Sequence, residues 1–191
     1  LSIDRFYMLD LIAAAWTGPM SVAVYVTDFD LPNFIDFVSI SPVLSGRKNI
    51  AYHAVFKMGA LYPVNRLRNV ALNYIDTTYA FVLDIDFVPV SGSYEILRKR
   101  ILASETSIDT KSVAMVIPAF QLKSPDFRSN HFGIPSTYSD LMEMLNNRSV
   151  EPFNFDIWPK GHNSTNYTRW YETSQAYYVD YAMDYEPYVV L

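Results

Sequence analysis

A chain of 191 residues, half of them hydrophobic and 18% charged, can bury one sizeable core and is too apolar to stay disordered. Its net charge of −5 and pI near 5.1 argue against a nucleic-acid partner, and no apolar run reaches the roughly 18 residues of a membrane-spanning helix. The lack of cysteine excludes disulfides, thiol nucleophiles and cysteine-bound metals, while Tyr 15 and Phe 12 supply an aromatic content suited to sugar stacking as well as to packing.

In chain order, Ile3, Phe6, Leu9, Ile12, Ala13 and Trp16 recur at helical steps, with Ser2 as the expected N-cap and Gly18-Pro19 as the stop. Residues 21–27 read as a buried strand, 31–38 as a short helix and 52–56 as a second strand. Pro63 then sits near the start of a helix to about residue 75, with Val64, Leu67, Ala71 and Tyr74 on its inner face. A third strand is expected over 79–83, a helix over 94–103 and a fourth strand over 113–117. The pattern lapses from Phe120 to Ser136. A helix over 137–145 follows, opened by a capping box of Thr137 and Asp140. Periodicity is weak from Asn146 to Thr173. Strands alternating with helices predict an α/β domain, a mostly parallel sheet with flanking helices, spanning 1–191 without a linker. The chain opens directly in a helical pattern and closes on the apolar run Tyr188-Val189-Val190-Leu191, so a domain truncated at both ends is expected.

Two Asp-x-Asp pairs follow predicted strands. Asp84-Ile85-Asp86 lies between Ala80-Phe81-Val82-Leu83 and Phe87-Val88-Pro89-Val90. In extended backbone, residues i and i+2 project to one side, and the carboxyl end of a parallel strand is where open α/β sheets bind ligands. Two like charges among apolar neighbours call for a cation, and carboxylate oxygens suit Mg²⁺ or Mn²⁺ carrying a diphosphate. The plain alternative is a pair of acids capping a helix or sitting in a solvated turn. Asp28-Phe29-Asp30 has the same spacing, but Leu31-Pro32 follows at once, so helix capping by Asp30 accounts for it.

Four ordered segments carry a resemblance. They are Tyr62-Pro63-Val64-Asn65-Arg66-Leu67-Arg68-Asn69-Val70-Ala71, then Asp84-Ile85-Asp86-Phe87, then Trp158-Pro159-Lys160-Gly161-His162 with Thr165-Asn166-Tyr167, and finally Asp184-Tyr185-Glu186-Pro187-Tyr188-Val189-Val190. Together they resemble the glucuronyltransferase domain of LARGE-type enzymes and their β-1,4-glucuronyltransferase relatives. The resemblance implies a GT-A glycosyltransferase fold, a UDP-sugar donor such as UDP-glucuronic acid, and a Mn²⁺ or Mg²⁺ cofactor. It also implies inverting transfer to a glycan or glycoprotein acceptor in the Golgi lumen, within a type II membrane protein whose anchor lies outside this chain. Relative to that family, a first strand and a later metal-binding histidine are missing, so this chain alone is expected to be inactive.

On that resemblance Asp84 and Asp86 are the metal pair. Asn65, Arg68 and Asn69 share a helical face and are candidate donor-binding residues, Arg68 either gripping an anionic donor or holding one of the aspartates. Lys160 and His162 are candidates for a loop closing on donor or acceptor; a structural histidine is the alternative. Asp184 and Glu186 are candidate general bases, or binders of acceptor hydroxyls, with Tyr177, Tyr178, Tyr181, Tyr185 and Tyr188 around them as stacking or core residues. Asn147, Asn163 and Asn166 open N-glycosylation sequons, the last two too close for both to be expected to carry glycans. A non-catalytic sugar- or nucleotide-binding module on the same fold is the competing expectation, and a Ca²⁺-binding domain lacks the loop spacing it needs.

Overall fold

A computed structural model describes residues 1–104, 114–123 and 133–191. They form two compact units, Leu1–Ile108 and Asp109–Leu191, each taken by itself below.

The first unit is built on one strand. β1 (Met20–Val26) pairs in parallel with β2 (Ile50–Phe56), in a register running from Met20 opposite Ile50 to Val26 opposite Phe56. On its other side the opening residues pair with β1: Ser2 bridges Tyr25 in parallel, and the Leu1 carbonyl accepts the Tyr25 N–H at 2.7 Å. Side chains alternate across a strand. Val24 and Val26 therefore face a cluster with Phe6, Leu9, Ala13, Phe34 and Leu44, whereas Ala23 and Tyr25 face Val55 and Leu67. Helices α1 (Phe6–Ala15) and α2 (Asp30–Ile40) supply the first face, and α3 (Val64–Asn73) supplies the second. Burying each valine contributes about 1.5–3 kcal/mol, which is why an unbroken apolar run suits a strand covered on both sides.

Local details depart from the expected pattern for physical reasons. Ser2 does not cap α1. Its backbone is held extended in the bridge to Tyr25, its hydroxyl donates to Asp4 at 2.6 Å, and a 3₁₀ turn over Ile3–Arg5 precedes the helix. The inner stripe of α3 is Leu67, Val70 and Ala71; Val64 is 41% exposed. At α2, the Asp30 carboxylate reaches back to the Thr27 N–H while the Thr27 hydroxyl accepts the Asp30 N–H, a reciprocal cap with Asp30 inside the helix rather than before it. Among the described residues, 79–83 makes only an isolated bridge at Phe81 instead of a strand. The Tyr79 carbonyl accepts a local hydrogen bond from the Thr77 hydroxyl at 2.8 Å. Helix α4 (Ser93–Ser104) follows, with Tyr94 packed edge-on against Trp16.

The second unit departs from the parallel pattern. β3 (Met115–Ile117) pairs antiparallel with β6 (Tyr188–Val190), and β4 (Phe120–Leu122) pairs antiparallel with β5 (Val150–Pro152). The described strands are thus one parallel pair and two antiparallel pairs, a mixed α/β arrangement rather than a mostly parallel sheet. β4 and β5 are three residues each, too short for an alternating pattern to register. Val113, the expected start of the fourth strand, lies outside the described residues. Helix α5 (Tyr138–Asn146) carries the expected capping box, Thr137 accepting the Asp140 N–H and Asp140 accepting the Thr137 N–H. The weakly periodic stretch holds two 3₁₀ turns, Pro159–Gly161 and Asn163–Thr165, and then α6 (Tyr167–Glu172), capped by Asn166. Tyr167 anchors this end, its buried hydroxyl donating to the Ala119 carbonyl at 2.8 Å. No described helix is long and apolar enough to cross a membrane.

Candidate active site

Asp84 and Asp86 sit in a turn, not at the end of an extended strand. The Phe87 N–H donates to the Asp84 carbonyl at 3.1 Å, placing Asp84 first and Asp86 third in a tight reversal whose Ile85 packs on the core. The expected side-by-side projection of i and i+2 therefore does not apply. Nor are the acids desolvated, their side chains being 36% and 53% exposed.

Each carboxylate has a guanidinium. Arg68, on the outer face of α3, grips Asp84 through Nη2 at 2.8 and 2.9 Å and through Nε at 3.3 Å. Arg5, from the turn ahead of α1, pairs with Asp86. Arg66 turns away to the Met58 sulfur at 3.6 Å, and Asn65 and Asn69 lie exposed along the helix. Bidentate arginine–carboxylate geometry is directional and resists replacement by lysine. Two carboxylates are the right kind of donor for Mg²⁺ or Mn²⁺. Among the described residues no third histidine, aspartate or glutamate joins them, so the positive charge on these oxygens is supplied by arginine.

The second unit brings its own candidates together. The Glu186 N–H donates to the Gly161 carbonyl at 2.9 Å, tying the segment of Asp184 and Glu186 to the loop of Lys160 and His162. Tyr185 is the anchor: 8% exposed, its hydroxyl shares a hydrogen bond with Thr165 at 2.9 Å. With Tyr185 inward, Asp184 and Glu186 both lie exposed on either side of it. Neither acid is in a strand. Asp184 is left-handed at φ 70°, inside a turn closed by the Tyr185 N–H on the Ala182 carbonyl, and β6 begins only at Tyr188. Aspartate tolerates that conformation better than most side chains.

Lys160 is exposed, but His162 is 5% exposed, its ring edge-on to Phe153 at 5.0 Å. Burial lowers the imidazole pKa below its ordinary value, and the Glu186 carboxylate pulls it back part of the way. Of the surrounding tyrosines, Tyr178 and Tyr181 are more than 80% exposed, so packing does not account for them. Asn147, Asn163 and Asn166 are all exposed; the Asn147 carboxamide accepts the Ser149 N–H at 2.9 Å. Arg5 had no signal in the sequence, since 81 residues separate it from Asp86.

The sequence profile of the family described as "Glycosyl-transferase for dystroglycan" matches residues 40–191. The chain belongs to this family. Along its whole length it is 44% identical to rat xylosyl- and glucuronyltransferase LARGE2, 42% to human LARGE2 and 40% to human xylosyl- and glucuronyltransferase LARGE1. The resemblance carried by the four ordered segments is thus that of the chain as a whole. It spans about a quarter of the length of these relatives, between 24% and 27%. The matched stretch includes both the Asp84 turn and the Gly161–Glu186 contact, while residues 1–39 of the first unit lie ahead of it.

Proposed function

We propose that the chain forms part of a metal-dependent, inverting glycosyltransferase of GT-A fold, moving glucuronic acid from a UDP-sugar to a glycan acceptor in the Golgi lumen. The observation that carries this reading is the similarity, along the whole of this chain, to xylosyl- and glucuronyltransferases, with Asp84 and Asp86 together in one tight turn.

In this reading Asp84 and Asp86 would hold the Mn²⁺ or Mg²⁺, which supplies charge to stabilise the departing diphosphate. Arg68 orients Asp84 through its bidentate contact and, with Asn65 and Asn69 on the same helix, would offer donors to the anionic groups of the UDP-sugar. Asp184 and Glu186, displayed outward by the buried Tyr185, serve the acceptor: one takes the proton of the attacking hydroxyl, the other accepts a hydrogen bond from the sugar. Lys160 adds a cation at the loop, and His162 packs behind it.

Titration of UDP into the full-length protein, with and without Mn²⁺, tests the reading. Tight binding only in Mn²⁺, lost in Asp84→Asn with Asp86→Asn, is the expected result. UDP affinity that ignores both the metal and the double substitution would overturn it. One observation favours the second reading, a non-catalytic binding module: each acid already has an arginine as its ion-pair partner.

A further inference from the structure

The three sequons of the second unit differ in what the fold leaves of them. A glycan-bearing asparagine needs a carboxamide nitrogen free of protein acceptors, and open space for a bulky, hydrated oligosaccharide. Its carboxamide oxygen can go on accepting hydrogen bonds after the nitrogen is substituted. Asn147-Arg148-Ser149 forms the turn between α5 and β5, and all three residues are exposed. The backbone of this turn is firmly held. The Asn147 N–H donates to the Glu143 carbonyl at 3.0 Å, the Arg148 N–H to the Leu145 carbonyl at 3.2 Å and the Ser149 N–H to the Met144 carbonyl at 2.9 Å. Leu141 and Val150, both buried, anchor it on either side. The Asn147 carboxamide oxygen accepts the Ser149 N–H and the Ser149 hydroxyl, at 2.9 and 2.5 Å. These two bonds occupy the oxygen and fix the carboxamide, while Nδ2 has no protein acceptor among the described residues.

The other two sequons are built into the fold. In Asn163-Ser164-Thr165 the threonine is 4% exposed and its hydroxyl is bound to Tyr185. In Asn166-Tyr167-Thr168 the tyrosine is buried, and Asn166 is the left-handed cap of α6, accepting the Arg169 N–H at 3.1 Å. Both asparagines line one cleft of about 390 Å³ with Arg169 and Tyr177. A chain glycosylated at either would have to fold with an oligosaccharide rooted in the cleft wall, whereas one glycosylated at Asn147 folds unchanged. We infer that Asn147, and neither Asn163 nor Asn166, carries an N-linked oligosaccharide. The inference rests on the lumenal placement in the proposed function and adds a covalent modification to it. In the transfer, Asn147 Nδ2 attacks C1 of the reducing-end sugar of an oligosaccharide held on a lipid pyrophosphate. The C1–N bond forms as the C1–O bond breaks, the lipid pyrophosphate leaves with that electron pair, and Nδ2 loses one proton to solvent.

Full-length protein from animal cells, released from its glycans by peptide N-glycosidase in heavy-oxygen water and mapped by mass spectrometry, reads all three positions without any substitution. Asn147 is expected to be recovered as labelled aspartate, and Asn163 and Asn166 as unlabelled asparagine. On gels, Asn147→Gln and Ser149→Ala each lose one glycan's worth of retardation, and Ser149→Thr keeps it. Asn163→Gln and Thr168→Ala, which abolish the other sequons while leaving the Asn166 cap in place, migrate with the unsubstituted protein. Unlabelled Asn147, or label at Asn163 or Asn166, would overturn the assignment. Protease treatment of sealed microsomes from the same cells separates the two failures. A protected chain with Asn147 bare condemns the glycan alone, and a chain digested from outside condemns the lumenal reading with it.

Discussion

His162 shows how one buried side chain acquires a pH dependence. Its ring is closed off against Phe153, so the fold favours the neutral imidazole and the pKa is lowered. An unfolded chain regains an ordinary histidine pKa of about 6.5 and binds a proton that the folded chain refuses. The stability owed to His162 is therefore complete above that value and declines as the pH falls from there toward the folded pKa. Urea unfolding midpoints between pH 7.5 and 5.5 should fall in the native protein and fall less in His162→Gln; equal slopes would remove the imidazole from the account. Tyr167 makes the opposite case. Burial drives its pKa up to about 12, so its share of stability is lost as the pH rises from about 10 through that value. At this scale the sequence was informative only where partners are near. Arg68 could be assigned to the right face of its helix from spacing alone, whereas Arg5 could not be connected with Asp86.

Among elements, the end of α1 shows what spacing leaves out. Gly18-Pro19 explains why the helix stops, but the carbonyls at its exit are satisfied by Arg47, from the connection between α2 and β2. Its Nη1 donates to the Ala13 and Trp16 carbonyls at 2.8 and 2.6 Å, and its Nη2 to the Gly18 carbonyl at 2.6 Å. A cation at a helix C-terminus also complements the dipole. Arg47→Ala should cost about 2–3 kcal/mol, because several carbonyls lose a charged donor together. A loss below about 0.5 kcal/mol in chemical denaturation would show that water replaces it. The turn of Asp84 and Asp86 teaches a related lesson. An apolar run followed by two acids reads as a strand end, but a strand exists only where a neighbour offers a ladder, and here the local hydrogen bonds of Thr77 and Phe87 compete for the backbone.

For the first unit as a whole, β1 divides the core into two faces that share no buried residue. Leu9, 1% exposed, belongs to one, and Leu67, 5% exposed, to the other. Each truncation to alanine should cost about 2–5 kcal/mol. Because the clusters lie on opposite sides of the strand, the double variant should lose the sum of the two to within about 0.5 kcal/mol. Strong non-additivity would mean that the sheet transmits strain between its faces.

The sequence by itself determined the helices α1 to α5, the parallel strands, the capping box at Thr137 and the family, because these are written in neighbours a few residues apart or in ordered segments. Tertiary structure alone decided that β3 and β6 pair antiparallel, that arginines rather than open space meet Asp84 and Asp86, and that Arg169 and Asp180 line one cleft. Those outcomes depend on which groups the folded backbone carries within hydrogen-bonding reach across long sequence separations, and no local period encodes that choice.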